Sequence, residues 1–245
     1  ISDLEHDVDV LVLDDCSPEP GWSEAVEHQA LSLGLGYYRS PRNVGIPRNM
    51  SLALLRGEQG GYDYVVICNS DVIFPRNLAT AMVGTAEVHP SASSVTAWSN
   101  NVSVFSLLAG TDAELADPTI VNWMADELQS VFGFRAERLP VGVGFCMMMP
   151  VGRIADVGLM DPIFGRGYCE EVDWCLRSHE AGYESVLAPG TFVYHRGHGS
   201  TAAAGMLTSG DTTVWAHERI IDSRYPGYRT EVNDYLSSSS LDNLR

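Results

Sequence analysis

The chain has 245 residues, 45% of them apolar, enough for one well-filled core and a single domain. Its 32 acidic against 15 basic side chains leave a formal charge of −17, which repels a phosphate backbone and argues against nucleic-acid binding. All 15 cations are arginine, so the chemistries that need a lysine, such as a P-loop or a pyridoxal imine, are excluded.

Five cysteines (Cys16, Cys68, Cys146, Cys169, Cys175) form no C-x-x-C pair, which fits a reducing compartment better than a disulfide framework. No apolar run reaches the roughly 18 residues that cross a bilayer, and the first residues are too charged for a signal peptide. The chain therefore reads as soluble and cytoplasmic. It begins at Ile1 with a strand close behind, which suggests that something upstream is missing.

Val8 to Leu13 is a short β-branched run suited to a buried parallel strand, ending at Asp14-Asp15. Helical spacing over Trp22 to Leu33 and a strand over Gly34 to Arg39 complete a β-α-β unit. A helix over Asn49 to Arg56 and a buried strand over Tyr62 to Cys68 follow, the strand delivering Asn69-Ser70-Asp71 at its carboxyl end. Repetition of this pattern predicts an α/β fold with a mostly parallel central sheet flanked by helices, and ligands beyond the carboxyl ends of the strands.

Further on, Leu78 to His89 reads as a helix, Ser94 to Trp98 as a strand, Ser99 to Asp117 as an excursion, and Asp117 to Phe132 as a helix opened by Asp-Pro. Val141 to Met149 reads as an apolar strand, and Gly158 to Gly167 as a loop. A helix is expected from Glu170 to Ala181, closed by Gly182. Short strands at Ser185 to Leu187 and Thr191 to Tyr194 lead to His195, and Val214 to Leu236 is mostly helical. Residues 1–100 form the expected nucleotide-binding half, 101–201 the acceptor and catalytic half, and 202–245 a helical tail.

Two acidic clusters, Asp14-Asp15 and Asn69-Ser70-Asp71, follow apolar strands and would emerge at one rim. There they could share a divalent cation with a diphosphate, although Asp, Asn and Ser also simply make turns. In the helix from Glu170, Glu170, Asp173 and Arg177 share a stripe, and Asp173 with Arg177 forms an i,i+4 pair. Glu171 has no cation to hold it ionised locally, and partial burial would raise its pKa toward that of a useful general base. The plainer reading is that acidic residues favour a helix's first turn. His195 ends a strand and could ligate the same metal as Asp71, with arginines such as Arg48 and Arg196 near donor phosphates. Trp98, Asn100, Asn101, Tyr168 and Asp173 are candidates for the acceptor and sugar side.

The order DDCS, RNVGIPRN, NSDV, GVGFCMMMP, FGRGYCEEVDWCLR and VYHRGHGST resembles the family 2 glycosyltransferases of GT-A fold, especially those of bacterial cell-surface polysaccharide assembly. The resemblance covers nearly the whole chain and implies a metal-dependent, inverting hexosyl or deoxyhexosyl transferase. Its donor would be a nucleoside-diphosphate sugar of UDP or dTDP type. Its acceptor would be a glycan or lipid-linked hydroxyl, with a peripheral approach to a membrane through that acceptor. Asp14, Asp15, Asn43, Gly45 and Asn49 match nucleotide-side residues. Asn69-Ser70-Asp71 matches D-x-D, with Asp71 on Mn²⁺ or Mg²⁺, while Glu170-Glu171 matches the pair whose second member is the base. His195 matches a histidine near the metal. The resemblance also marks departures: the usual first strand and helix have no counterpart before Ile1, Cys169 replaces a common glycine, and Asn69 replaces an aspartate. A catalytically inactive sugar-nucleotide or glycan-binding domain is the alternative that these departures suggest. A Rossmann oxidoreductase is disfavoured because no strand leads into G-x-G-x-x-G.

Overall fold

The computed structural model describes residues 8–102, 106–107, 113–197, 213–238 and 244. Strands β1 (Leu11–Asp14) and β2 (Gly36–Arg39) pair in parallel around helix α1 (Trp22–Ser32), the expected β-α-β unit. Helix α2 (Ile46–Gly60) starts three residues before its predicted start because Pro47 fits a helix's first turn, and it continues to Gly60 with Gly61 in the left-handed region.

The main sheet has five strands: β3 (Tyr64–Cys68), β5 (Ala92–Trp98), β6 (Glu137–Leu139), β7 (Cys146–Pro150) and β8 (Glu184–Phe192), in the order β3-β7-β5-β8-β6. A two-residue ribbon, β4 (Val72–Ile73) with β9 (Tyr194–His195), stands beside it. Helices α3 (Leu78–Val88), α4 (Pro118–Phe132), α5 (Arg153–Val157) and α6 (Glu170–Glu180) fill the crossovers, and the helices Thr213–Arg224 and Tyr228–Ser237 close the chain, interrupted at Tyr225-Pro226-Gly227. The two strands expected over Ser185 to Tyr194 are mostly one, β8, with β9 beyond Val193. The excursion after Ser99 lies partly outside the described residues, and His198 lies outside them altogether.

The sheet is α/β and helix-flanked as expected, but mixed. β5 and β8 are parallel, whereas β7 runs against both β3 and β5, and β6 against β8. The six residues 140–145 between β6 and β7 hold no helix and return across the sheet face, and β7 thereby runs in the direction of β6, with β8 and β5 between them. This link replaces the first half of the strand expected from Val141. It climbs the sheet face, with Val143 N donating to Thr96 Oγ1 (3.4 Å) and Gly142 N to Cys175 Sγ (3.3 Å).

Apolar side chains fill both faces of the sheet. Leu78, Met82, Trp98, Val121 and Phe192 pack in one layer, and Met50, Leu54, Phe164, Trp174 and Ile221 in the other. Near-complete burial of chains this large is the main source of stability, at roughly 1.5–3 kcal/mol for each aliphatic or Phe side chain. No helix among the described residues is long and apolar enough to cross a membrane.

Candidate active site

β3 ends at Cys68 because the next residue bonds outside the strand: Asn69 N donates to Phe145 O (2.8 Å) at the mouth of β7. The chain then turns through Ser70 and re-pairs as β4, with Val72 opposite His195. Arg196 N donates to Asp71 O (3.0 Å), so the ribbon sets Asp71 beside the histidine. His195 Nε2 lies 3.4 Å from Asp71 Oδ1 and 3.1 Å from Asn69 Nδ2. Its ring stacks on Phe145 with centroids 5.2 Å apart.

The tautomer follows from partners. His195 Nδ1 lies 3.1 Å from the backbone oxygen of Asn101, which can only accept, so the proton belongs on Nδ1. Nε2 then carries its lone pair toward Asn69 and Asp71, the orientation a metal-ligating imidazole needs. Asn100 brackets the same residue, accepting from His195 N (2.8 Å) and donating to His195 O (3.2 Å). Among the described residues no group of three His, Cys, Asp or Glu side chains could hold a metal ion. Asp71 and His195 alone therefore fit a cation that takes its remaining ligands from phosphate oxygens and water, as Mg²⁺ and Mn²⁺ do.

The second part of the site is the start of α6. Tyr168 (φ 71°) and Cys169 (φ 72°) both occupy the left-handed region, which glycine adopts without strain and these residues do not. They turn Glu170 and Glu171 inward. Glu170 is buried, Glu171 half-buried, and the Oε2 atom of each is buried with no hydrogen-bond partner. Burial pushes both carboxyl pKa values up, for Glu170 with added repulsion from Glu171. The Glu171 side chain packs on Gly144, where an added Cβ would lie 3.7 Å from Glu171 Cβ and Cγ, and the Gly144 backbone N–H offsets part of that rise. Thus Glu171 rests on Gly144 while the adjacent Phe145 carries His195 and Asn69, which brings the base candidate and the Asp71 pair to one two-residue segment.

That segment was missed as functional. The signal was present in Gly142-Val143-Gly144: a Cβ on Gly142 would press on Met147, Ser94 and Thr96, and one on Gly144 would press on Met50.

Two acceptor-side expectations are corrected. Trp98 is wholly buried in the core, because β5 is covered on both faces. Asp173 is equally buried and already engaged, accepting from Arg177 Nε (2.9 Å), Arg224 Nη1 (2.6 Å) and Tyr225 OH (3.1 Å). Neither can meet a substrate. Asn101 sits against the histidine, its side chain donating to Arg196 O (3.2 Å), and Tyr168 is half-buried ahead of α6.

The nucleotide-side candidates gather at the end of β1. Asp15 accepts from Val44 N and Gly45 N (2.8 Å each), Asn43 Nδ2 donates to Asp15 O (2.9 Å), and Asn49 Nδ2 donates to Leu13 O (3.2 Å). Asp14 accepts from Ser17 N (3.0 Å) and Tyr37 OH (2.9 Å). Burial alone would raise its pKa, but such donors outweigh that and hold it below the usual range. Arg48 is exposed on α2. Gly45 packs on the Gly165 carbonyl, so this loop touches the loop leading to Glu170.

Solved structures with the same architecture include GalNAc-T7 with UDP, GalNAc and Mn²⁺ (TM-score 0.55, 12% identity, covering 76% of this chain and 37% of that one). Another is the mannosyltransferase PcManGT from Pyrobaculum calidifontis with GDP-Man and Mn²⁺ (TM-score 0.54, 14% identity, 97% and 68%). At these identities the likeness establishes the fold, which is GT-A, and the chain spans little more than a third of GalNAc-T7. No curated protein matches. The family model described as "Glycosyl transferase family 2" matches residues 3–149, more than half of the sequence, and the chain belongs to that family.

Proposed function

We propose that this domain transfers a sugar, with inversion, from a nucleoside-diphosphate sugar to a hydroxyl group of a glycan or lipid-linked acceptor. The observation that carries the reading is Glu171: a carboxylate of raised pKa, one oxygen buried without a partner, held on the loop that supports His195 and Asn69. Glu171 takes the acceptor's proton, and the freed oxygen attacks the anomeric carbon. The bond from that carbon to the diphosphate breaks, and the nucleoside diphosphate leaves with the electron pair. Burial is what disfavours ionisation of Glu171 and so strengthens it as a proton acceptor, while Glu171 in turn repels charge on Glu170, buried beside it.

Asp71 and His195 would hold Mn²⁺ or Mg²⁺, whose chemistry here is to offset charge on the departing diphosphate. Both structural neighbours were solved with Mn²⁺ and a nucleotide or nucleotide sugar, which supports a divalent cation and a donor of that class. Asp14, Asp15, Asn43, Gly45, Arg48, Asn49 and Asn69 form the nucleotide side, and Tyr168 with Asn101 the sugar side. A role in cytoplasmic assembly of a surface polysaccharide is consistent with this reading.

One observation favours a non-catalytic sugar-nucleotide or glycan-binding domain: the Asn69 amide lies 3.1 Å from the nitrogen that the cation needs. Glu171→Gln separates the two readings. As a transferase, the variant loses transfer while calorimetry still detects metal-dependent donor binding. Wild-type turnover in Glu171→Gln would remove Glu171 as the base. Wild-type protein that binds donor equally with and without Mn²⁺ and turns none over is the binding domain.

A further inference from the structure

We propose that the cleft between the start of α4 and the segment following β4 is a binding site for a neutral oligosaccharide, holding the acceptor glycan at a distance from the reacting hydroxyl. The cleft, about 420 Å³, is lined by Arg76, Pro118, Thr119, Asn122, Trp123 and Asp126. Trp123 is 62% exposed, an indole face left in water at the mouth of a depression.

The walls around it are fixed in advance. Asn122 Oδ1 accepts from Arg76 N (2.7 Å), Asn122 Nδ2 donates to Pro118 O (2.8 Å), and Arg76 Nη2 pairs with Asp126 Oδ2 (3.1 Å). Behind them Asn77 Nδ2 reaches Ala125 O (3.4 Å) and Thr191 Oγ1 donates to Asn77 Oδ1 (3.3 Å), tying α4 to the sheet. Such preorganisation lowers the cost of binding.

The chemistry selects the ligand. Arg76 and Asp126 neutralise each other, so the cleft offers no excess charge to a phosphate or a cation, while their remaining edges present donors and acceptors together. A sugar ring has the complementary surface, a C–H face for the indole and a rim of hydroxyls for the Arg–Asp edge. A protein partner would look for a contiguous apolar patch, and here a single aromatic is surrounded by polar groups.

Position completes the argument. The segment that carries Asp71 runs through β4 directly to Arg76, five residues on, at most about 17 Å of extended chain. A glycan several rings long could therefore lie on Trp123 and still present its end near Asp71. The acceptor role rests on the transferase reading, whereas the binding site itself does not.

The test titrates the full chain with cellohexaose, maltohexaose and mannohexaose and with their monosaccharides, by calorimetry and tryptophan fluorescence. The proposal expects saturable binding of at least one hexasaccharide, about tenfold or more tighter than its monosaccharide. Trp123→Ala and Asp126→Asn should each weaken it about tenfold, while Trp22→Ala, which removes another exposed indole, should not. Metal-dependent donor hydrolysis is measured in parallel and should be unchanged in Trp123→Ala. If hydrolysis is absent while hexasaccharide binding persists, the transferase reading fails and the site stands. No saturable binding by any of the three up to about 10 mM, or binding indifferent to both substitutions, overturns the site.

Discussion

Gly45 and Gly165 touch backbone to backbone: a Cβ on Gly45 would fall inside the van der Waals shell of the Gly165 carbonyl oxygen, and Gly45 itself has a φ of 85°. This contact locks the loop gathered by Asp15 against the loop that introduces Glu170 and Glu171. The two halves of the proposed site are thereby held in one register.

Gly45→Ala violates both the space and the dihedral, and backbone atoms cannot move aside as a flexible side chain can. It should lower stability by about 2–4 kcal/mol, seen as a fall in Tm of several degrees in thermal unfolding followed by circular dichroism. A Tm within about one degree of wild type would mean that the two loops are not locked.

The Glu170 pair makes stability depend on pH in a defined direction. Because its folded pKa is raised, folded protein holds protons that unfolded chain releases, so stability falls as pH rises above the unfolded value of 4.5 toward the folded one. Glu170→Gln removes that penalty. The variant should melt higher than wild type at pH 8 and almost equally at pH 4, and equal melting at both would contradict the assigned burial.

His195 and Asn69 divide the metal question. His195→Ala should weaken Mn²⁺ binding in the presence of nucleoside diphosphate by about 10- to 100-fold. Asn69→Asp replaces an amide donor on Nε2 with a second oxygen ligand and should strengthen binding about tenfold. Electron paramagnetic resonance of free Mn²⁺ reads both, and a weaker Asn69→Asp would show that the amide supports the site.

Asp173 holds two guanidiniums and a phenol from inside the protein. Asp173→Ala removes the buried carboxylate shared by Arg177 and Arg224, leaving Arg224 its pair with Asp161 and Arg177 its backbone carbonyls, and should cost about 2–3 kcal/mol in urea unfolding. A loss under about 1 kcal/mol would reduce the cluster to a surface ion pair.

Much of this was legible in the chain. The 3.6-residue pattern marks α1, α3, α4 and α6 to within a residue or two, because each buries one face, while β1 starts three residues after the apolar run that announces it. The polar residues that close β1 and β3, and the Glu170-Glu171 start of a helix, are local features that survive folding unchanged. Glu171's lack of a local cation was visible from helical spacing alone.

Other features depended on partners far away in sequence. Whether β7 runs parallel or antiparallel is set by a six-residue link whose path only the packed sheet defines, and apolar content is the same for either direction. Trp98 and Asp173 look like site residues by type, but burial by distant strands and helices removes them. The tautomer of His195 is set by the backbone oxygen of Asn101, 94 residues away. Sequence by itself determined which residues could carry this chemistry, since residue type and period are local. The tertiary structure decided which of them meet, because burial and hydrogen-bond partnership are properties of neighbours in space.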